Sequence, residues 1–439
     1  MQDLTPLFFR SLNDKEFMPS TLAEWLAHLE SLHPKTIALG LDRVAQVKAR
    51  LNLSPDFPVL IVGGTNGKGS VCAMLESILH AAGYLVGCYT SPHLLHYNER
   101  VRIGKQVAAD QELCASFSDI EQVRGDIPLT YFEFGTLAAM QLFISHQVDV
   151  AILEVGLGGR LDAVNVFDAD CAVVTSVDID HTDYLGETRE EIAFEKAGTF
   201  RQGCVAICAD NHVPEALAAH AQKIGAELWC IGREFGFATH QGQWDYRSLR
   251  ATRMAMPYPA LRGGFQLSNA SAALAALDAV SERLPVGMAA IRRGLTEVEL
   301  AGRFQFVPGK PQLILDVAHN PHAARTLAKN LGDLPPCPHT YAVFGMLKDK
   351  DMAGVVETLN LHIDTWLLAG IAAPRGASAG ELVAVLTSAG VQGQVVTFAN
   401  TAEAIAHACN VAGENDRIAV FGSFYTVAEA MQARGIRVM

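Results

Sequence analysis

The chain has 439 residues, half of them apolar and 18% charged, which is enough for two or three domains, each with its own core. A net charge of −13 at pH 7 argues against a nucleic-acid partner, whose phosphates would be repelled. Charged or Gly-rich breaks interrupt every apolar run before roughly 18 residues, so no membrane partner is expected, and MQDLTPLFFRSLNDKEF lacks the basic start and apolar stretch of a secretory signal.

In chain order, PVLIV (58–62) reads as a buried strand leading into a Gly-rich turn. The apolar spacing of SVCAMLESILHAAG (70–83) then predicts a helix closed by Gly83. LVGCYT, DVAILEV, CAVVTSV, GCVAICA and ELWCI carry the strand pattern through residue 231. Within this series EEIAFEKAGTF (190–200) reads as a helix ending near Gly198. Buried β-rich runs with helical crossovers predict an α/β fold with a doubly wound, mostly parallel sheet. Aromatic and polar residues increase over 233–262, where antiparallel strands are expected, and SNASAALAALDAVSERL (268–284) predicts a helix with Ser268 or Asn269 near its cap. A second α/β series follows in PQLILDV, TYAVFGM, TWLLAGI, GQVVTFA and RIAVFGSF. A boundary within EVELAGR divides the chain into domains of residues 1–298 and 299–439, the second smaller and Rossmann-like. The nine scattered cysteines, several in strand-like runs, are expected to be reduced core residues of a cytoplasmic protein.

VGGTNGKGS (62–70) joins a buried strand directly to a helix. Backbone N–H groups of such a turn converge on an anion, and Lys68 adds a positive charge. Gly64, Gly67 and Gly69 let the main chain approach a phosphate with no Cβ in the way. The familiar G-x-x-x-x-G-K-[ST] spelling is not met, because Val62 stands at its first glycine and Gly69 where the hydroxyl belongs; Ser70 supplies the hydroxyl one residue later. The loop therefore predicts triphosphate binding without naming an acceptor.

ILEVGLGGRLDA (152–163) puts Glu154 at the carboxyl end of a strand, where open α/β sheets bind ligands, and a carboxylate there suits magnesium. DIDHTDYLG (178–186) gathers Asp178, Asp180, His181 and Asp183 at the end of the next strand. Lys196, in the last turn of its helix, fits either a dipole-complementing cation or a site residue.

Together with LHPKTIALGLDRV (32–44), YTSPHLLHYNERVRI (89–103), LTYFEFGTLAA (129–139), EKAG (195–198), GGFQLSNA (263–270), GRFQ (302–305), LDVAHNP (315–321), FGMLKDKD (344–351), PRGASA (374–379) and GSFYTV (422–427), these segments resemble the bifunctional dihydrofolate synthase/folylpolyglutamate synthase family, relatives of the Mur ligases. The resemblance implies that Thr65, Asn66, Gly67, Lys68, Gly69 and Ser70 hold ATP, with Asn269, Arg303, Asp316 and His319 also on the nucleotide. It implies magnesium, in two ions, on Ser70, Ser91, Glu154 and His181, and a carbamylated Lys196 beside them. The pterin is expected near Thr36, Phe132 and Asp162. Ala38 and Ala301 stand where the family often has Asp and Pro; the first bears on pteroate contacts, the second on linker stiffness.

The implied activity is ATP-dependent addition of L-glutamate to dihydropteroate and to the glutamate tail of tetrahydrofolates through an acyl phosphate, in a cytoplasmic monomer. A Mur-type peptide ligase is the alternative, although only 61 residues precede Val62, little for a nucleotide-sugar domain.

Overall fold

The computed structural model describes residues 19–33 and 38–437. Among the described residues the first sheet has eight strands: β1 (Val59–Gly63), β2 (Val86–Tyr89), β3 (Val101–Ile103), β4 (Gln106–Val107), β5 (Val150–Glu154), β6 (Cys171–Val174), β7 (Val205–Cys208) and β8 (Glu227–Cys230). Their spatial order is β4-β3-β2-β5-β1-β6-β7-β8, parallel except for the β2-β3-β4 edge. The run of apolar residues in β1 follows from its place in the middle. Val59 and Ile61 pack into the core on one face and Leu60 and Val62 into the core on the other.

β9 (Phe235–His240), β10 (Gln243–Ser248) and β11 (Thr252–Met256) form the antiparallel sheet expected over 233–262. The second α/β unit has β12 (Gln305–Val307), β13 (Gln312–Leu315), β14 (Thr340–Phe344), β15 (Thr365–Ala369), β16 (Gln394–Phe398) and β17 (Arg417–Phe421), in the order β12-β13-β17-β14-β15-β16. It too is parallel apart from the β12 edge. No helix among the described residues is long and apolar enough to cross a membrane.

Two helix boundaries differ from expectation. The helix after the Gly-rich turn starts at Lys68 and ends at Ala81, two residues before Gly83. The Ala-rich helix runs Gln266–Ala279 with Phe265 at its cap, so Ser268 and Asn269 lie inside its first turn. Burial decides this: nearly every residue from Gln266 to Asp278 is enclosed by neighbours, and packing outweighs the capping preference of a serine or asparagine.

The helix Met288–Thr296 crosses Lys68–Ala81 so closely that a Cβ on Gly294 would lie 2.4 Å from the Ile78 Cα. Backbone on backbone leaves nothing to yield, so Gly294→Ala is expected to destabilise the protein by about 1–3 kcal/mol. Urea unfolding checks this, and an unchanged midpoint would contradict the contact.

Candidate active site

The order β2-β5-β1-β6 sets four carboxyl ends side by side, and each carries part of one site. Ser91 follows β2, Glu154 ends β5, the Gly-rich turn follows β1, and Thr175–His181 follows β6. Two glycines of the turn are required by geometry. Gly64 (φ +142°) would drive a Cβ to 1.9 Å from Thr175 Oγ1, and Gly67 (φ +89°) would drive one to 2.6 Å from Asn269 Oδ1. The Thr65 hydroxyl donates to Asp178 O at 3.1 Å and accepts from Asp178 N–H at 3.0 Å, tying the turn to the β6 end.

Lys68 folds back to donate to Gly64 O (3.0 Å) and Thr65 O (3.2 Å), and burial lowers its amine against the pull of Glu154 and Asp180. Glu154 is buried, with Oε2 accepting from Ser91 N–H at 3.1 Å. Burial raises its carboxyl more than the Lys68 ammonium lowers it. A buried carboxylate in that balance gains from added positive charge. Among the described residues no three His, Cys, Asp or Glu side chains form a ready-made metal cluster. Magnesium still fits, because it favours oxygen and completes its shell from one or two carboxylates, substrate phosphates and water.

Lys196 sits in the last turn of the helix Arg189–Ala197 and is only 3% exposed. The loop after Glu154 locks that turn in place. Arg160 N–H donates to Glu195 O at 2.7 Å, and a Cβ on Gly159 would meet Glu195 O at 2.9 Å. Burial, then repulsion from Lys68, lowers the Lys196 amine to about 7. A lysine that merely complements a helix dipole would stand in solvent, so the geometry favours the site alternative. Asp162 accepts from Leu157 N–H (2.8 Å) and Val164 N–H (3.1 Å), and burial pushes its carboxyl up to about 7. Phe132 lies under Gly156, where a Cβ would come within 2.8 Å of its ring.

The second unit presents the ends of β13, β17 and β14, which are neighbours in its sheet. Asp316 accepts from Phe304 N–H (2.9 Å) and Ala318 N–H (2.8 Å); burial raises it to about 6 against the adjacent Arg303. Arg303 stacks 5.2 Å over the Phe424 ring. His319 donates from Nδ1 to Val317 O at 2.8 Å, and burial lowers the imidazole to about 4.

Every residue that the resemblance assigns to the site, except Thr36, lines a single cavity of about 1010 Å³ between the two units. Thr36 lies outside the described residues. Of the acidic cluster, Asp178, Asp180 and His181 reach the cavity, while Asp183 is exposed on the short helix Thr182–Leu185. Ser70 Oγ accepts from Gln266 Nε2 at 3.4 Å at the inner wall.

Asn320, His322, Arg325 and Lys350, the last three lining the cavity, have no role that the sequence alone marks. Asn66 meets Asn320 (3.2 Å) and His322 (2.8 Å) of the second unit, Arg325 pairs with Asp178, and Lys350 reaches Asp180. The available signals were Asn320-Pro321, a helix start with proline at its first position, and the lysines after the strand TYAVF.

Two family models match the chain, the Mur ligase middle domain over residues 62–277 and the Mur ligase glutamate ligase domain over 302–424. The dihydrofolate synthase/folylpolyglutamate synthase of Escherichia coli strain K12 is 48% identical over 414 residues, spanning 94% of this chain and 95% of that protein. An E. coli FolC structure in complex with DHPP and ADP superposes with a TM-score of 0.90 at 47% identity, covering 95% of this chain and 98% of that one. A bifunctional folylpolyglutamate synthase/dihydrofolate synthase structure with Mn, AMPPNP and L-glutamate bound gives a TM-score of 0.88 at 46% identity, covering 95% and 100%. The Mur-type peptide ligase reading is thereby reduced to a distant relation carried by the shared domain models. The chain belongs to the dihydrofolate synthase/folylpolyglutamate synthase family, and it is an ATP-dependent acid–amino-acid ligase.

Proposed function

We propose that the chain joins L-glutamate to dihydropteroate and to the glutamate tail of tetrahydrofolates at this cavity. The observation that carries the reading is the meeting of the Lys68 loop, Glu154 and the second unit's Asp316 on one cavity. Thr65 to Ser70 hold the triphosphate, and Asn269, Arg303, Asp316 and His319 hold the rest of the nucleotide. Phe132 and Asp162, with Thr36, hold the pterin.

A carboxylate is a poor electrophile, so amide formation in water is slow. One of its oxygens attacks the γ-phosphorus of ATP, the bond to the bridging oxygen breaks, and ADP leaves behind an acyl phosphate. The glutamate amine then attacks the acyl carbon, loses a proton, and expels phosphate. Negative charge builds in both steps, and Lys68 with the turn's N–H groups is placed to stabilise it. Two magnesium ions on Ser70, Ser91, Glu154 and His181 would supply further neutralisation of phosphate charge. Lys196 carries a carbamate, formed when its neutral amine adds carbon dioxide and releases a proton. A hinge at residues 298–299 lets the second unit close over the reactants and exclude water. The enzyme acts as a cytoplasmic monomer.

ADP release tests this reading. It is expected only with glutamate and either dihydropteroate or tetrahydrofolate together; release that ignores both acceptors would overturn it.

A further inference from the structure

The second unit grips the loop that carries His181. Asn320 Nδ2 donates to Asp180 Oδ2 at 3.0 Å, and Lys350 Nζ lies 2.7 Å from Asp180 Oδ1 and 3.1 Å from His181 Nε2. The Lys350 and Asp180 side chains are 8% and 12% exposed, against 57% for Arg325 in its pair with Asp178. Enclosed pairs of this kind lose most when one partner is removed, whereas exposed pairs contribute little.

The Lys350 backbone is fixed within its own unit. Its N–H donates to Leu347 O at 3.3 Å, and its carbonyl accepts from Met352 N–H at 2.9 Å. Only the ammonium crosses, and its partners are on the first unit. On the receiving side His181 has φ +53°, a left-handed conformation that surrounding contacts must hold.

Asp180 lines a cavity that must take in a triphosphate and a carboxylate. Its carboxylate is held by the Lys350 ammonium at 2.7 Å on one oxygen and by the Asn320 amide at 3.0 Å on the other. Without Lys350, an anion would stand where anionic reactants arrive.

We infer that Lys350 is a positioning residue that couples docking of the second unit to assembly of the site. Its ammonium neutralises Asp180 and steadies the His181 ring through Nε2, so the loop reaches working geometry only in the closed molecule. The inference rests on the ligase reading for the identity of the anions.

The test uses full-length Lys350→Met, Lys350→Arg, Asp180→Asn and the double variant Lys350→Met/Asp180→Asn. Small-angle scattering follows compaction on adding AMPPNP, and steady-state kinetics follow kcat and the KM for ATP. Lys350→Met is expected to compact less and to lose about 100-fold in kcat. Its KM for ATP should rise, but by less than kcat falls, and Lys350→Arg should restore part of both properties. The double variant should be no worse than Lys350→Met, since Asp180→Asn removes the charge left unpaired. Normal compaction and turnover in Lys350→Met would overturn the inference, as would a double variant whose losses simply add. If wild-type protein compacts but ligates neither acceptor, the ligase reading fails and the docking role stands.

Discussion

Lys68→Ala is expected to lower kcat by at least about 10³-fold while the fold survives. The ammonium is held at the helix start among Gly64 O, Thr65 O and the charges of Glu154 and Asp180. Removing it leaves Glu154 facing a triphosphate without its neighbouring ammonium, and the developing charge on the transferred phosphoryl group loses a fixed cation. The turn itself does not depend on this side chain. Thr65 N–H donates to Ser176 O at 2.8 Å, Thr175 N–H to Gly63 O at 3.0 Å, and Val71 N–H to Gly67 O at 3.0 Å. Burial already disfavours the charged amine, so its loss costs little stability. Steady-state assay beside thermal unfolding checks both halves. Turnover near the wild-type level would contradict the phosphate-loop assignment.

Lys196→Ala should be nearly as damaging, about 10³-fold in kcat, and partly reversed by added formate or acetate. The substitution opens space beside Asp162 and Asp180 at the end of a locked helix turn, and a small carboxylate can replace a carbamate there. Wild-type activity should also fall in buffers stripped of carbon dioxide, most at pH below about 7, where the amine is protonated and does not add carbon dioxide. For stability the sign follows from proton binding. Between about 7 and 10.5 the unfolded chain holds a proton on this lysine that the unmodified folded chain does not, so this group makes stability rise with pH across that window. NMR with carbon-labelled bicarbonate detects the adduct directly. Absence of a carbamate signal, together with no rescue by formate or acetate, would exclude the modification.

What was legible in the sequence was local. PVLIV reads as a strand buried on both faces because that environment demands consecutive apolar residues, and β1 has a core on each side. Gly64 and Gly67 mark a turn that no other residue can make, since their positive φ and close neighbours exclude a Cβ. Glu154 announces itself because a carboxylate rarely ends an apolar strand without a task. Lys196 was ambiguous for a physical reason. Its last-turn position suits the helix dipole, and only the packing of the 156–162 loop against it, a tertiary fact, shows that it is enclosed. Lys350 lies in the quoted segment FGMLKDKD, but its role is not legible there, because its partner Asp180 is 170 residues away on the other unit. The Ala-rich helix starts two residues before Ser268 for a related reason: enclosure of Gln266 and Leu267 extends it past the serine that local preference would choose.

The most direct measurement follows the oxygen that an acyl phosphate must transfer. Dihydropteroate carrying a heavy-oxygen label in its carboxylate is incubated with ATP, magnesium and glutamate, and the released phosphate is analysed by mass spectrometry. Each phosphate formed with amide product should carry one labelled oxygen. Unlabelled phosphate accompanying amide formation would show that the carboxylate never bonds to the γ-phosphorus, and the account built on Lys68, Glu154 and Asp316 would fail.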